Sequence, residues 1–95
     1  MNNTYYIYML VAYRNKRVIS YVGYTNNLDK RLLLHNSSKG AKFTRGNKWF
    51  LAYKRKIFSK SQALKEEYLL KNDKNKRLII KKKFLKNENN NFTSL

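Results

Sequence analysis

The feature that most restricts what this chain can fold into is a ten-residue stretch, Thr4 to Tyr13, built almost wholly from Tyr, Ile, Met, Leu and Val. It is far shorter than the roughly 20 apolar residues a membrane helix needs. It is also too continuously apolar for a half-exposed strand. A short β-branched and aromatic run of this kind reads as a strand buried on both faces, and therefore central in its sheet. The whole chain is 95 residues long. At that length, surface scaling gives roughly 5,800 Å² of accessible surface folded against roughly 16,700 Å² unfolded, which is room for one modest core.

Local signals place the neighbours of this strand. Arg14-Asn15-Lys16-Arg17 is polar and fits a turn. Val18 to Tyr24 reads as a second strand, making an antiparallel hairpin. Symmetry about residues 14–15 would set Tyr8 opposite Tyr21, with both hydroxyls on one face. Thr25-Asn26-Asn27 offers caps for a helix from Leu28 to His35. A loop containing Gly40 and Gly46 spans 36–48, and Trp49 to Phe58 is a third strand. Ser59 or Ser61 caps a second helix reaching Lys71, and Asp73 caps a basic third helix from Lys74 to Lys86. The expectation is a single α+β domain over residues 1–86, in the order β-β-α-β-α-α. A three-stranded, mostly antiparallel sheet flanked by helices is its simplest architecture. Residues 87–95 read as a polar, flexible tail.

Charge narrows the partner. Lys and Arg total 22 against 5 Asp and Glu, a formal net charge of +17. Self-repulsion of that size opposes compaction, and a polyanion relieves it. Nucleic acid is the first candidate and an anionic membrane surface the second, with a compositional bias toward Lys and Asn as the bland alternative. There is no cysteine, which excludes a disulfide framework, a zinc ribbon and a thiol nucleophile. A single histidine, His35, excludes a His-rich metal site. Met1-Asn2-Asn3-Thr4 lacks the charged-then-apolar layout of a secretion signal. The expectation is an intracellular protein, cytoplasmic or nuclear, without membrane attachment.

The five acids can be taken one at a time. Asp29 sits in a first helical turn, where the macrodipole favours it; Asp73 is a cap and Glu88 lies in the tail. Glu66 and Glu67 remain, on the second helix. With Ala63 at 0° and about 100° per residue, Ala63, Leu64, Tyr68 and Leu70 define an apolar face centred near about 50°. Glu67 falls at about 40°, in the middle of that face, and Glu66 at about 300°, toward solvent. A carboxylate aimed at the core is costly unless it meets a cation or a metal. Glu67 is therefore either an ion-pair member or a metal-binding or catalytic group. Arg31 and His35, four apart, share a helix face and could jointly hold a phosphate. Alternatively, Arg31 is one cation among many and His35 packs beside Leu28 and Leu32.

At this point the residues resemble a known family. Tyr6-Ile7-Tyr8 followed by Tyr21-Val22-Gly23 is similar to the paired signature of the GIY-YIG nucleases, with Tyr6 replacing the first glycine and Val22 an isoleucine. Tyr24 to Leu32 resembles the segment bearing the family's arginine, here Arg31, and His35 fits a frequent active-site histidine. Gly40-Ala41-Lys42-Phe43-Thr44-Arg45-Gly46 resembles the loop of small stand-alone members similar to the Slx-type structure-specific endonuclease catalytic domain. Ala63 to Tyr68 resembles the helix bearing the metal-binding glutamate, which aligns with Glu67. The likeness covers roughly Thr4 to Ile80. Eukaryotic structure-specific members carry a Cys-rich zinc module that this cysteine-free chain lacks, and the closer likeness is to short single-domain proteins.

The resemblance implies a divalent-metal-dependent DNA endonuclease leaving 5′-phosphate and 3′-hydroxyl ends, with a place in DNA repair or recombination. It implies one Mg²⁺ or Mn²⁺ held by Glu67, and a catalytic set of Tyr8, Tyr21, Arg31, His35 and Glu67. Arg31 would stabilise phosphoryl charge, and either Tyr8 or Tyr21 would take a proton from the attacking water. His35 would assist by hydrogen bond. Gly23 would let the strand end kink or let a phosphate approach. Lys42, Thr44 and Arg45 in the loop, with Lys74 and Arg77 on the third helix, are candidate contacts to DNA, duplex or branched. A regulatory protein partner is compatible with this picture but no residue identifies one. The alternative is a non-catalytic basic module that keeps the nuclease fold and binds nucleic acid.

Overall fold

The computed structural model describes the backbone of residues 4–93 and the side chains of residues 4–87. Strand β1 (Tyr5–Arg14) turns back through β2 (Arg17–Thr25) into helix α1 (Leu28–Asn36). A single 3-10 turn at Lys42–Thr44 precedes β3 (Phe50–Ile57), α2 (Lys60–Lys71) and α3 (Lys74–Thr93). The sheet order is β2-β1-β3 and both pairings are antiparallel. This is the expected α+β arrangement, with the apolar run at its centre: Ile7 to Ala12 are all buried.

The hairpin closes through a two-residue loop in which Asn15 and Lys16 both have positive φ, 50° and 64°, the signature of a type I′ turn. Arg14 therefore faces Arg17, and the register differs from symmetry about residues 14–15. Tyr8 lies opposite Gly23, and Tyr21 opposite Leu10. The slip is two positions, and the side-chain period is also two, so Tyr8 and Tyr21 still project from one face.

The two faces of the sheet carry different layers. Ile7, Met9 and Val11 pack with Val22 and Ile57 under Ala63 and Leu70 of α2 and Ile80 of α3. On the other side Tyr8, Leu10 and Ala12 pack with Trp49, against Leu28 and Leu32 of α1. The helices begin where side-chain oxygens meet orphan amides. Asn27 Oδ1 accepts from the Lys30 amide at 3.1 Å, Ser59 Oγ from Gln62 at 3.2 Å, and Asp73 Oδ1 from Lys76 at 3.0 Å. Ser59, rather than Ser61, is the cap of α2.

Helix α2 is rotated relative to the expected wheel. Only Ala63 and Leu70 are buried, while Leu64 and Tyr68 face solvent. The small Ala63 side chain lets the helix sit close on the sheet, so the line of contact is narrow. Glu66 and Glu67 border it on opposite sides, and Glu67 is at the rim of the apolar stripe rather than its middle. Helix α3 continues past residue 86, into the segment expected as a tail; the last two residues of that segment lie outside the described residues.

Candidate active site

The site grows from Tyr8 on the α1 face of the sheet. Its side chain is enclosed, with the residue 1 % exposed. The ring lies over Gly23, where a Cβ would come within 2.5 Å of the phenol oxygen. The glycine of the second triplet thus makes room for the tyrosine of the first. That is the constraint the structure shows at this position.

The phenol oxygen is 2.9 Å from His35 Nε2, and His35 Nδ1 is 2.8 Å from Thr44 Oγ1. The Thr44 hydroxyl donates to the Ala41 carbonyl at 2.8 Å. With that proton committed, Thr44 Oγ1 accepts from His35 Nδ1–H, which leaves Nε2 to accept the Tyr8 proton. One protonation pattern satisfies the whole chain. Gly40 is part of it, because a Cβ there would collide with the His35 ring.

This arrangement corrects one expected DNA contact. Thr44 is 0 % exposed and turned into the core, while its neighbours Lys42 and Arg45 are exposed. The loop folds inward because it is anchored twice. Trp49 Nε1 donates to the Thr44 carbonyl at 2.7 Å. The Asn36 side chain grips the Trp49 backbone, accepting from its N–H at 2.6 Å and donating to its carbonyl at 3.1 Å. The sequence did not single out Asn36 or Trp49 as site residues, and Gly40 figured in it only as part of the loop. The one signal was a lone tryptophan closing a polar loop.

Tyr21 and Arg31 complete the cluster. The Tyr21 ring centroid lies 5.0 Å from His35 and 6.4 Å from Tyr8. The Arg31 guanidinium sits beside both phenols. Its hydrogen bond with Tyr8 raises its pKa most, partial burial works against this, and Tyr21 adds to the rise. Arg31 Nε is buried and, among the described residues, has no hydrogen-bond partner. Burial pushes the Tyr8 phenol up to about 12; Arg31 opposes that shift, and the charges of Tyr21 and Glu67 add to it. Burial, and then the Arg31 charge, hold His35 below the usual imidazole range, in keeping with the neutral tautomer deduced above.

Glu67 stands on α2, and its charge is felt at Tyr8. Its side chain is 18 % exposed and Oε1 lies 3.4 Å from Lys71 Nζ, one turn on. The cation that a core-facing carboxylate needs is therefore present. Lys71 is half exposed, and such pairs are weak. Glu66 is engaged elsewhere, with Arg55 of β3 at 3.2 Å. Among the described residues no three His, Cys, Asp or Glu side chains gather as a metal cage. One carboxylate with a displaceable lysine still fits Mg²⁺, which commonly takes one or two carboxylates and fills its shell with water and phosphate oxygens. On α3, Lys74 is exposed, whereas Arg77 donates to the Leu70 carbonyl at 2.9 Å and to the Lys71 carbonyl, tying down the end of α2.

Fold and site together define a small α+β domain with a Tyr-His-Arg cluster on one face of its sheet. A family model described as the GIY-YIG catalytic domain matches residues 4–90, and the chain belongs to that family. It is similar to a UPF0213 protein of Oceanobacillus iheyensis, 44 % identical over 75 % of this chain and 80 % of the relative. A UPF0213 protein of Bacillus licheniformis is 40 % identical over 85 % and 84 %. One from Clostridium perfringens is 39 % identical over 88 % and 90 %. No solved structure matches the chain significantly. Among the described residues no helix is long and apolar enough to cross a membrane. These relatives are bacterial, and the nuclear alternative draws no support from them.

Proposed function

We propose that the chain is a divalent-metal-dependent DNA endonuclease that hydrolyses a phosphodiester to 5′-phosphate and 3′-hydroxyl ends. The observation that carries this reading is the Arg31 guanidinium, held beside two phenols and lining a recess open to solvent. A phosphate oxygen in that recess would meet the guanidinium, whose planar fork suits phosphate.

The two tyrosines then take different roles. The Tyr8 proton is committed to His35 and its phenol is pushed up to about 12, which makes it a poor base. Tyr8, His35 and Thr44 act as a rigid positioning chain. Tyr21 is less enclosed and is the phenol that meets the attacking water. Tyr21 would serve as the base in its phenolate form, the form that accepts a proton. Water oxygen bonds to phosphorus, its proton passes to Tyr21, and the bond to the 3′-oxygen breaks. Arg31 stabilises the charge that builds on the phosphoryl oxygens. Glu67 would hold the single Mg²⁺ or Mn²⁺, which supplies polarisation of the phosphate and stabilisation of the leaving oxygen. Lys42, Arg45, Lys74 and Arg77 neutralise flanking phosphates, in keeping with the net charge of +17.

The test is nicking of supercoiled plasmid in Mg²⁺, Mn²⁺ or chelator by wild type and Glu67→Gln. The expected result is metal-dependent nicking that the substitution abolishes while DNA affinity is kept. Tight DNA binding by wild type with no nicking under any metal would favour the non-catalytic binding module.

A further inference from the structure

We propose that Lys71 is a phosphate-binding residue gated by the metal. It neutralises Glu67 in the absence of the ion, and it turns to a DNA phosphate in the recess beside Tyr21 when Glu67 takes up the ion. Metal and DNA then each strengthen the binding of the other. The inference rests on the metal-dependent nuclease reading for Glu67 as the ligand, and it is tested by binding alone.

Lys71 carries the argument because its side chain belongs to two places at once. Its Nζ is 3.4 Å from Glu67 Oε1, and it also lines a recess of about 350 Å³ together with Tyr21 and Arg77. The two cations of that recess differ in freedom. Arg77 donates to the Leu70 and Lys71 carbonyls, which fixes its guanidinium on the end of α2. Among the described residues the Lys71 ammonium has one ion-pair partner, Glu67, and the lysine side chain is 50 % exposed. An exposed pair one helical turn apart is weak. A four-carbon stem with three rotatable donors lets the ammonium change partner without backbone movement.

Glu67 cannot serve both partners. A divalent ion on the carboxylate attracts it more strongly than one lysine does, and repels an ammonium standing alongside. Once displaced, Lys71 is already at the recess that holds the proposed base, where a phosphate is the anion to be met. In the opposite order, a phosphate there draws Lys71 away and leaves Glu67, 18 % exposed, without its cation. A largely enclosed carboxylate in that state takes up an ion more readily. Both events compete for one ammonium, so the coupling is reciprocal. Lys65 is the contrast on the same helix: it is exposed, and two residues from Glu67 it cannot face that carboxylate.

The experiment measures Mn²⁺ affinity without DNA, by loss of the free-ion electron paramagnetic resonance signal. It also measures affinity for a labelled duplex in chelator and in saturating Ca²⁺, with gels confirming that the duplex stays uncut. Wild type is compared with Lys71→Met, Lys65→Met and Glu67→Gln. Lys71→Met keeps the stem of a half-exposed residue and the carbonyl that Arg77 uses, so the fold should hold. It should bind Mn²⁺ about two- to five-fold more tightly, the effect of removing one exposed ion pair. Its duplex affinity should fall by at most about two-fold in chelator, where Glu67 already engages Lys71, and by about five- to tenfold in Ca²⁺, where a charge-assisted phosphate contact is missing. Lys65→Met should leave Mn²⁺ affinity within about 1.5-fold and cost the same in both media. Equal duplex losses for Lys71→Met with and without Ca²⁺, or Mn²⁺ affinity unchanged or weakened, would overturn the proposal. So would a matching response from Lys65→Met, which would reduce Lys71 to one more unit of net charge. Glu67→Gln separates the two readings: weaker Mn²⁺ binding there keeps Glu67 as the ligand whatever Lys71 does, whereas wild-type Mn²⁺ binding there removes the ligand from both.

Discussion

On one face of β1, Ile7, Met9 and Val11 meet Val22, Ile57, Ala63, Leu70 and Ile80, an apolar layer in which filled volume is the main requirement. On the other face Tyr8, Leu10 and Ala12 share the interior with Trp49, and His35 and Thr44 are buried alongside them. Each buried polar atom there needs a partner, and one arrangement of protons supplies them all. The same strand thus builds a layer that tolerates repacking and a layer that does not. The comparison teaches where the proposed chemistry belongs: on the face where burial has been combined with polarity, next to a guanidinium with an unmatched N–H.

The largest effect should come from the tolerant face. Met9 is fully buried, and Met9→Ala should cost about 2–5 kcal/mol of stability. A urea titration measures this, and nicking per folded molecule should persist. Loss of nicking with stability intact would break the comparison. Gly23→Ala comes next, because its methyl group meets the Tyr8 phenol. Displacing that ring should cost about 1–3 kcal/mol and lose cleavage together. Wild-type melting and nicking would show that Tyr8 is not held as described.

Thr44→Val keeps the shape and removes the acceptor for His35 Nδ1–H. It should cost about 1–2 kcal/mol as a buried donor is stranded. DNA affinity, measured in chelator, should not change, because Thr44 does not reach the surface. A large drop in affinity would return Thr44 to the set of DNA contacts.

The smallest effects are in pH dependence. His35 is held below the imidazole range, so the unfolded chain takes up a proton below about pH 6.5 before the folded chain does. Stability present above that pH should fall as the pH drops through the folded value, and thermal melts across the range measure it. For Tyr8 the sign is opposite. Stability is present below about pH 10 and is lost as the pH rises through about 12. Tyrosinate absorbance should show a late-titrating phenol, absent in Tyr8→Phe.

Much of this was legible in the sequence, for reasons that differ by residue. The central strand was evident because few structures accept so continuous an apolar run. Tyr8 and Tyr21 were placed on one face despite a wrong register, because the error was a full side-chain period. The turn itself was ambiguous: no glycine marks it, and Lys16 takes a positive φ that its identity does not advertise. The wheel for α2 failed because it assumed that every apolar residue is covered. A short helix resting through Ala63 leaves Leu64 and Tyr68 in water. Thr44 was misplaced because its neighbours are cationic and exposed, while its partner, His35, is nine residues away and meets it only through the fold of the loop.

Neighbouring residues on β2 give the most direct test of the division between faces. Tyr21 faces the polar cluster and Val22 the apolar layer. Plasmid nicking in Mg²⁺ would be measured for Tyr21→Phe and Val22→Ala, each normalised to the folded fraction. Tyr21→Phe should melt like wild type and lose at least about 100-fold in rate, the lower range for removing a general base. Val22→Ala should lose about 1–3 kcal/mol of stability and keep the rate per folded molecule within a few-fold. Wild-type nicking by Tyr21→Phe, or an equal loss by Val22→Ala, would contradict the account.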